Sequence, residues 1–265
     1  MTCCAEEKRR GKSAALAVCR RSGNSLFSQL TLVLESLILM RLLTLLTLLT
    51  ASLTTTQLIA VETNTIHVAL VFDDGPFPEH APKLLELFAK EKIHVTFSLV
   101  ASNVQANAHT AKTIVAGGHE IANHSYAHRH AKDLDAAALE SEIVGAQKII
   151  AELTGFKPKW YWPPFLEADD RVRAMAAKAG IEVYSLKQVV VSEDYNRSVG
   201  AEEIKRKATT KVKDGSVILF HEWRDETYEQ MPAILAELRR QGCVFLTFSE
   251  LAAHARSTTL PKKSP

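Results

Sequence analysis

Three short segments hold residues whose types and spacing could do hydrolytic chemistry. Phe72-Asp73-Asp74-Gly75-Pro76 sets two carboxylates at the end of an apolar run. Successive strand side chains point to opposite sides. One carboxylate can therefore ligate a metal while the other faces a reacting water, and Gly75-Pro76 turns the chain away. A solvated acidic turn would use the same letters. The segment Asn123-His124-Ser125-Tyr126-Ala127-His128 carries two imidazoles four residues apart. On a helical turn they share one side, and the spacing suits two nitrogen ligands of one divalent ion. With ten histidines in the chain, a chance pair is the alternative, and His130 follows two residues on. In Leu219-Phe220-His221 a histidine ends another apolar run. Its ordinary pKa near neutrality would suit a general acid; a core or capping histidine is the competing reading. One Asp and two His leave coordination positions for water, the pattern of a hydrolytic site and not of a closed structural one.

The elements around these segments predict how they are held. Strand-like runs occur at 67–72, 93–99, 119–122, 158–162, 181–185, 216–220 and 243–247. Helix-like segments at 81–91, 135–153, 169–179, 201–212 and 228–241 separate most of them. In the second, Leu139, Ile143, Ala146, Ile150 and Leu153 recur on one face, and Gly155 stops it. Strands alternating with helices predict an α/β fold with a parallel sheet, either an open doubly wound sheet or a barrel. In both, chemistry gathers at the C-terminal strand ends, where all three segments fall.

Composition sets the domain plan. The net charge of +2 hides an asymmetry. Residues 1–60 carry seven Lys/Arg and three Asp/Glu, leaving 25 basic and 27 acidic side chains after them. The main body has no basic excess, which argues against a nucleic-acid partner. Only one of four cysteines, Cys243, lies in the main body, so neither a disulfide framework nor a cysteine zinc site is available there; a core thiol is expected. Residues 42–60 contain no charge and follow Met40-Arg41. They read as a signal peptide whose start is Met40, or as a membrane attachment if uncleaved. The plan is a leader over 1–60, one domain over 61–257 and a disordered tail over 258–265. The expected location is secreted, periplasmic or cell-envelope.

The order FDDGP, HSYAH, a Pro-Pro segment, an Asp-aromatic pair and LxH resembles the NodB-homology polysaccharide deacetylases, carbohydrate esterase family four. The resemblance covers about 66–252. It implies a distorted (β/α) barrel with about seven parallel strands. It implies Asp74, His124 and His128 as ligands of one divalent metal ion, zinc; Asp73 as general base; and His221 as general acid. Tyr161-Trp162-Pro163-Pro164-Phe165 stands where the family has Arg-Pro-Pro-Tyr. Trp162 therefore replaces the arginine that holds the catalytic aspartate, and Phe165 replaces the tyrosine whose backbone N–H serves as an oxyanion donor. Asp194-Tyr195 resembles the Asp-Trp pair that tunes the acid histidine, with Val191 where another family aspartate stands. Leu219 and Tyr195 are implied to line the acetyl pocket.

The chemistry is consistent with the residues themselves. An amide needs its carbonyl polarised, a water activated and its leaving amine protonated. A divalent ion, Asp73 and His221 would supply these in turn. Trp160, Tyr161, Trp162 and Trp223 fall near predicted strand ends, where rings could stack on sugar faces; core packing is the alternative. With the arginine gone, Trp162 would shape the substrate groove, and Arg171 or Arg173 could replace the lost cation. The implied activity is removal of N-acetyl groups from an amino-sugar polymer. A metal-dependent amidase acting on a small non-sugar amide and a catalytically impaired glycan-binding protein are the alternatives.

Overall fold

In a computed structural model the described residues are 34–35, 37–42 and 65–259. Residues 34–35 and 37–42 are helical. The remainder of the expected leader, including 43–60, lies outside the described residues. Among the described residues, no helix is long and apolar enough to cross a membrane. The chain divides between Glu62 and Thr63, and every strand among the described residues belongs to the second unit.

Eight strands form one parallel sheet: β1 (Ile66–Asp73), β2 (Thr96–Leu99), β3 (Glu120–Asn123), β4 (Trp160–Tyr161), β5 (Glu182–Val183), β6 (Val189–Val191), β7 (Ser216–His221) and β8 (Cys243–Leu246). Their order is β5-β4-β3-β2-β1-β7-β6, and β8 pairs with the first half of β1. Among the described residues no ladder joins β5 to β6, so the barrel is distorted and open on that side. Seven strands sit where the sequence predicts them. The eighth, β6, is a three-valine run whose length is too short for periodicity to reveal.

Alternation along β1 separates two cores. Val68, Leu70 and Phe72 face the helical layer and pack with Phe88, Phe97, Ile121 and Phe220. Ala69 and Val71 face the barrel interior, with Ala122, Trp160, Trp162, Tyr184, Leu219 and Phe248. Small residues at 69 and 122 leave room for the two indoles. Each fully buried large side chain contributes roughly 1.5–3 kcal/mol, so both faces of β1 stabilise the fold. Cys243 is a buried free thiol, as expected.

The helices follow their sequence signals. Asp135 caps one by accepting from the Ala138 N–H, and Asp169 caps another through Val172 N. The 135–153 segment forms Ala136–Glu140 and Ala146–Thr154 around a widened π turn, Ser141–Gly145. The helix Phe248–Thr259 takes in Thr258 and Thr259, both expected in the tail. The Thr258 hydroxyl donates to the Ala255 carbonyl and so satisfies that turn. Residues 260–265 lie outside the described residues.

Candidate active site

Parallel register gathers the three chemical segments at one edge. Asp73 is paired with His221 across β1 and β7. Leu99 is paired with Asn123, and Asn123 with Tyr161. Asp73, His124, Trp162 and His221 therefore leave neighbouring strand ends. At Asp74 the backbone turns left-handed, with φ 75°. Gly75 is required next: a Cβ there would lie 1.7 Å from Glu222 Oε2. The buried Glu222 carboxylate accepts from the Phe77 N–H at 2.6 Å and fastens the loop to β7. Burial, reinforced by the charges of Asp74 and Glu79, pushes Glu222 up to about 8.

His124 and His128 do not share a helical turn. They lie in a loop with positive φ at Ser125 (69°) and His128 (54°). Side chains replace the acceptors a helix would have provided. Asn123 Oδ1 accepts from Ser125 N at 2.9 Å, Ser125 Oγ accepts from His128 N at 3.0 Å, and Glu142 Oε2 accepts from Tyr126 N and Ala127 N at 3.0 and 2.8 Å. The π turn carries that buried Glu142 inward, and such turns recur at functional sites. Asn123 and Ser125 were visible inside the motif; Glu142 had no signal in a helix-like stretch.

The three expected ligands converge. Asp74 Oδ1 lies 3.6 Å from His124 Nε2 and 3.4 Å from His128 Nε2. Single ligating atoms of the three residues all lie within 4.8 Å of one another. The His124 Nδ1–H donates to the Trp162 carbonyl at 2.6 Å, which turns Nε2 inward. Asp74 Oδ1 and His124 Nε2 are buried and make no hydrogen bond within the protein. Buried acceptors without partners are costly. One carboxylate oxygen and two imidazole nitrogens are also the donor set a zinc-like ion prefers, so these residues fit a divalent ion. Burial alone would raise Asp74, but the facing His124 outweighs it and holds the carboxyl far below its usual range. Trp223 Nε1 donates to Asp74 Oδ2 at 2.8 Å. Trp223, expected as a sugar contact, thus also orients the Asp74 carboxylate; it is only half-buried, its ring 5.6 Å from that of His221.

Asp73 faces the same space from β1. Burial pushes it up to about 6, against the lowering charges of His124 and His221. Its Oδ2 accepts from Trp162 Nε1 at 2.9 Å, and its Oδ1 makes no hydrogen bond within the protein. Trp162 is 0 % exposed. It is therefore not a groove residue: the indole fills the barrel interior and holds the aspartate. Trp160 and Tyr161 are likewise buried, and the Trp160 N–H donates to Ser249. Neither expected substitute cation takes the place of the arginine. Arg171 pairs with Asp169 and donates to the Leu134 and Ala131 carbonyls, while Arg173 is exposed and borders a cavity away from Asp73.

His221 completes the site. Its Nδ1 lies 2.7 Å from Asp194 Oδ1, and its backbone N–H donates to Asp194 Oδ2 at 2.8 Å. Thr227 Oγ1 donates to the same oxygen at 2.7 Å, a partner with no sequence signal. Burial opposes the charged imidazole, but the Asp194 bond and charge, with Asp73 and Asp74, push His221 up to about 9. Leu219 points the same way two residues earlier, into the interior. Tyr195 is 54 % exposed, its ring 5.8 Å from that of His221. Phe165 has φ 55°, is 49 % exposed and stacks on His130 at 3.5 Å, so His130 belongs to the rim and not to the ligand set.

Known proteins resemble this chain in sequence and fold. A family model described as polysaccharide deacetylase matches residues 60–184. A peptidoglycan-N-acetylglucosamine deacetylase of Bacillus cereus is 31 % identical over 187 residues, covering 69 % of this chain and 87 % of that protein. The structure of a peptidoglycan deacetylase from Bacillus subtilis aligns with a TM-score of 0.66 and 27 % identity, over 75 % of this chain and 95 % of that one. A mutant of a CE4 family pseudoenzyme with restored enzymatic activity aligns with a TM-score of 0.66 and 26 % identity, over 72 % and 68 %. With that identity, coverage and fold, the chain belongs to the NodB-homology polysaccharide deacetylases, carbohydrate esterase family four.

Proposed function

We propose that the chain hydrolyses N-acetyl groups of an amino-sugar polymer of the peptidoglycan kind, with a divalent ion, Asp73 as base and His221 as acid. The observation that carries this reading is the convergence at one strand edge. Partnerless buried atoms of Asp73, Asp74 and His124 face each other beside the Asp194–His221 pair. An ion such as zinc, held by Asp74, His124 and His128, would polarise the acetyl carbonyl and make the attacking water more acidic. Asp73, with Oδ1 open and Oδ2 held by Trp162, takes the water proton. Asp194 anchors His221 Nδ1, which leaves Nε2 to deliver a proton to the departing amine. The Phe165 N–H serves as oxyanion donor, and Tyr195, Leu219 and Trp223 border the acetyl and sugar positions.

The Trp162–Asp73 bond favours an enzyme over a glycan-binding protein, because a positioned base has no use in binding alone. The substrate names of the relatives favour a glycan over a small amide. The charge-free 42–60 run supports placement outside the cytoplasm. The test is acetate release from N-acetylglucosamine oligomers and peptidoglycan at matched metal content. Asp73→Asn is expected to lower turnover at least ~100-fold, the low end for losing a general base, and His124→Ala to lose the metal. Binding without release by the wild type would instead identify a binding protein.

A further inference from the structure

The opposite rim of the sheet carries a second histidine–aspartate–histidine group. His67 is the second residue of β1, Asp214 precedes β7, and His254 lies in the helix Phe248–Thr259. Six residue steps along the strand separate His67 from Asp73, about 20 Å at ~3.3 Å per step. The group is therefore remote from the reaction.

Its geometry is tight. His67 Nδ1 lies 3.0 Å from Asp214 Oδ1, and His254 Nε2 lies 3.5 Å from Asp214 Oδ2. The two rings stack with centroids 3.8 Å apart and tilted 33°. One ligating atom of each residue lies within 4.8 Å of the other two. The backbone fixes the carboxylate: the His67 N–H donates to Asp214 Oδ1 at 2.8 Å, and the Gly215 N–H donates to the His67 carbonyl at 2.8 Å. Two imidazole nitrogens turned toward one carboxylate are the donor set that a divalent ion of the zinc kind takes. In a tetrahedral site with bonds of about 2.0–2.2 Å, ligand atoms stand roughly 3.4 Å apart; each imidazole nitrogen stands near that spacing from one oxygen of the shared carboxylate, 3.0 Å from Oδ1 and 3.5 Å from Oδ2.

We propose that His67, Asp214 and His254 form a second divalent-metal site, structural in role, that ties the first strand to the last helix. Two imidazoles and a carboxylate select zinc, nickel or copper over magnesium or calcium. Partial exposure of all three residues leaves the remaining position to water.

The test is zinc titration of the metal-stripped full chain by calorimetry. The catalytic site is first removed with His124→Ala/His128→Ala, and this protein is compared with one also carrying His67→Gln/His254→Gln. Any zinc held by Cys3, Cys4 or Cys19 is common to both and cancels. The first protein should bind one equivalent more than the second, and zinc should raise its Tm by an amount the second lacks. Equal stoichiometry in two folded proteins, checked by circular dichroism, would overturn the site. If the fourfold variant does not fold, His254→Ala in the wild-type chain, at a partly exposed helix position, should weaken zinc binding of one equivalent at least ~10-fold, the low end for losing even an outer-shell partner. Unchanged binding there is equally decisive against it.

Discussion

Replacing Trp162 by Phe keeps an aromatic ring in the barrel interior and removes the N–H that lies 2.9 Å from Asp73 Oδ2. A hydrogen bond to a charged group contributes about 1.5–3 kcal/mol. If it all favours the ionised carboxylate, it corresponds to roughly 1–2 pH units at 1.36 kcal/mol per unit. Burial, the facing histidines and Asp74 influence Asp73 more strongly than Trp162 does, so the lower figure, about one unit, is expected. The sign follows from the role. Asp73 must be ionised to act as a base, and losing a donor to the ionised form raises its pKa from about 6. The acid limb of kcat/KM should therefore move up by about one unit. Below the acid limb the variant should release acetate about ten times more slowly than wild type, and well above it nearly as fast. KM should not change, because the indole is inaccessible to substrate. The assay is acetate release between pH 4.5 and 9 with metal content matched. An unmoved acid limb with a raised KM would refute the positioning role and restore Trp162 to the substrate groove.

Three further outcomes follow from the geometry. Asp194→Asn removes the main support of the charged His221, so its pKa falls from about 9 and the alkaline limb of the rate profile should move to lower pH; an unshifted limb would exclude His221 as the acid. Glu142→Ala leaves the Tyr126 and Ala127 N–H groups without their acceptor, and zinc affinity at the catalytic site should fall ~10–100-fold, read by chelator competition. Glu222, raised from 4.5 to about 8 in the folded state, binds more protons folded than unfolded across that window. Its contribution is complete below pH 4.5 and is lost as pH rises through 8. In metal-stripped protein, the Tm advantage of Glu222→Gln over wild type should grow from pH 4.5 to pH 8, and a constant difference would contradict this.

The sequence by itself determined the residue types and the chain order of the chemistry. Apolar runs ending in Asp73-Asp74 and His221, and the pair His124 and His128, were legible because strand ends and motif spacing are local properties. The parallel α/β class followed from alternation for the same reason. Partnership was not legible. His124 and His128 converge through a loop held by Glu142, eighteen residues beyond His124, and no periodicity announces a π turn. Trp162 read as a groove residue because its letter departed from the arginine pattern. Only the barrel interior, with Ala69 and Ala122 making room, decided that the ring is buried and aimed at Asp73. Thr227 on Asp194 and Glu222 against Gly75 arise in the same way. Side-chain direction depends on which neighbours exclude water from each face, and that is settled only when distant strands pack.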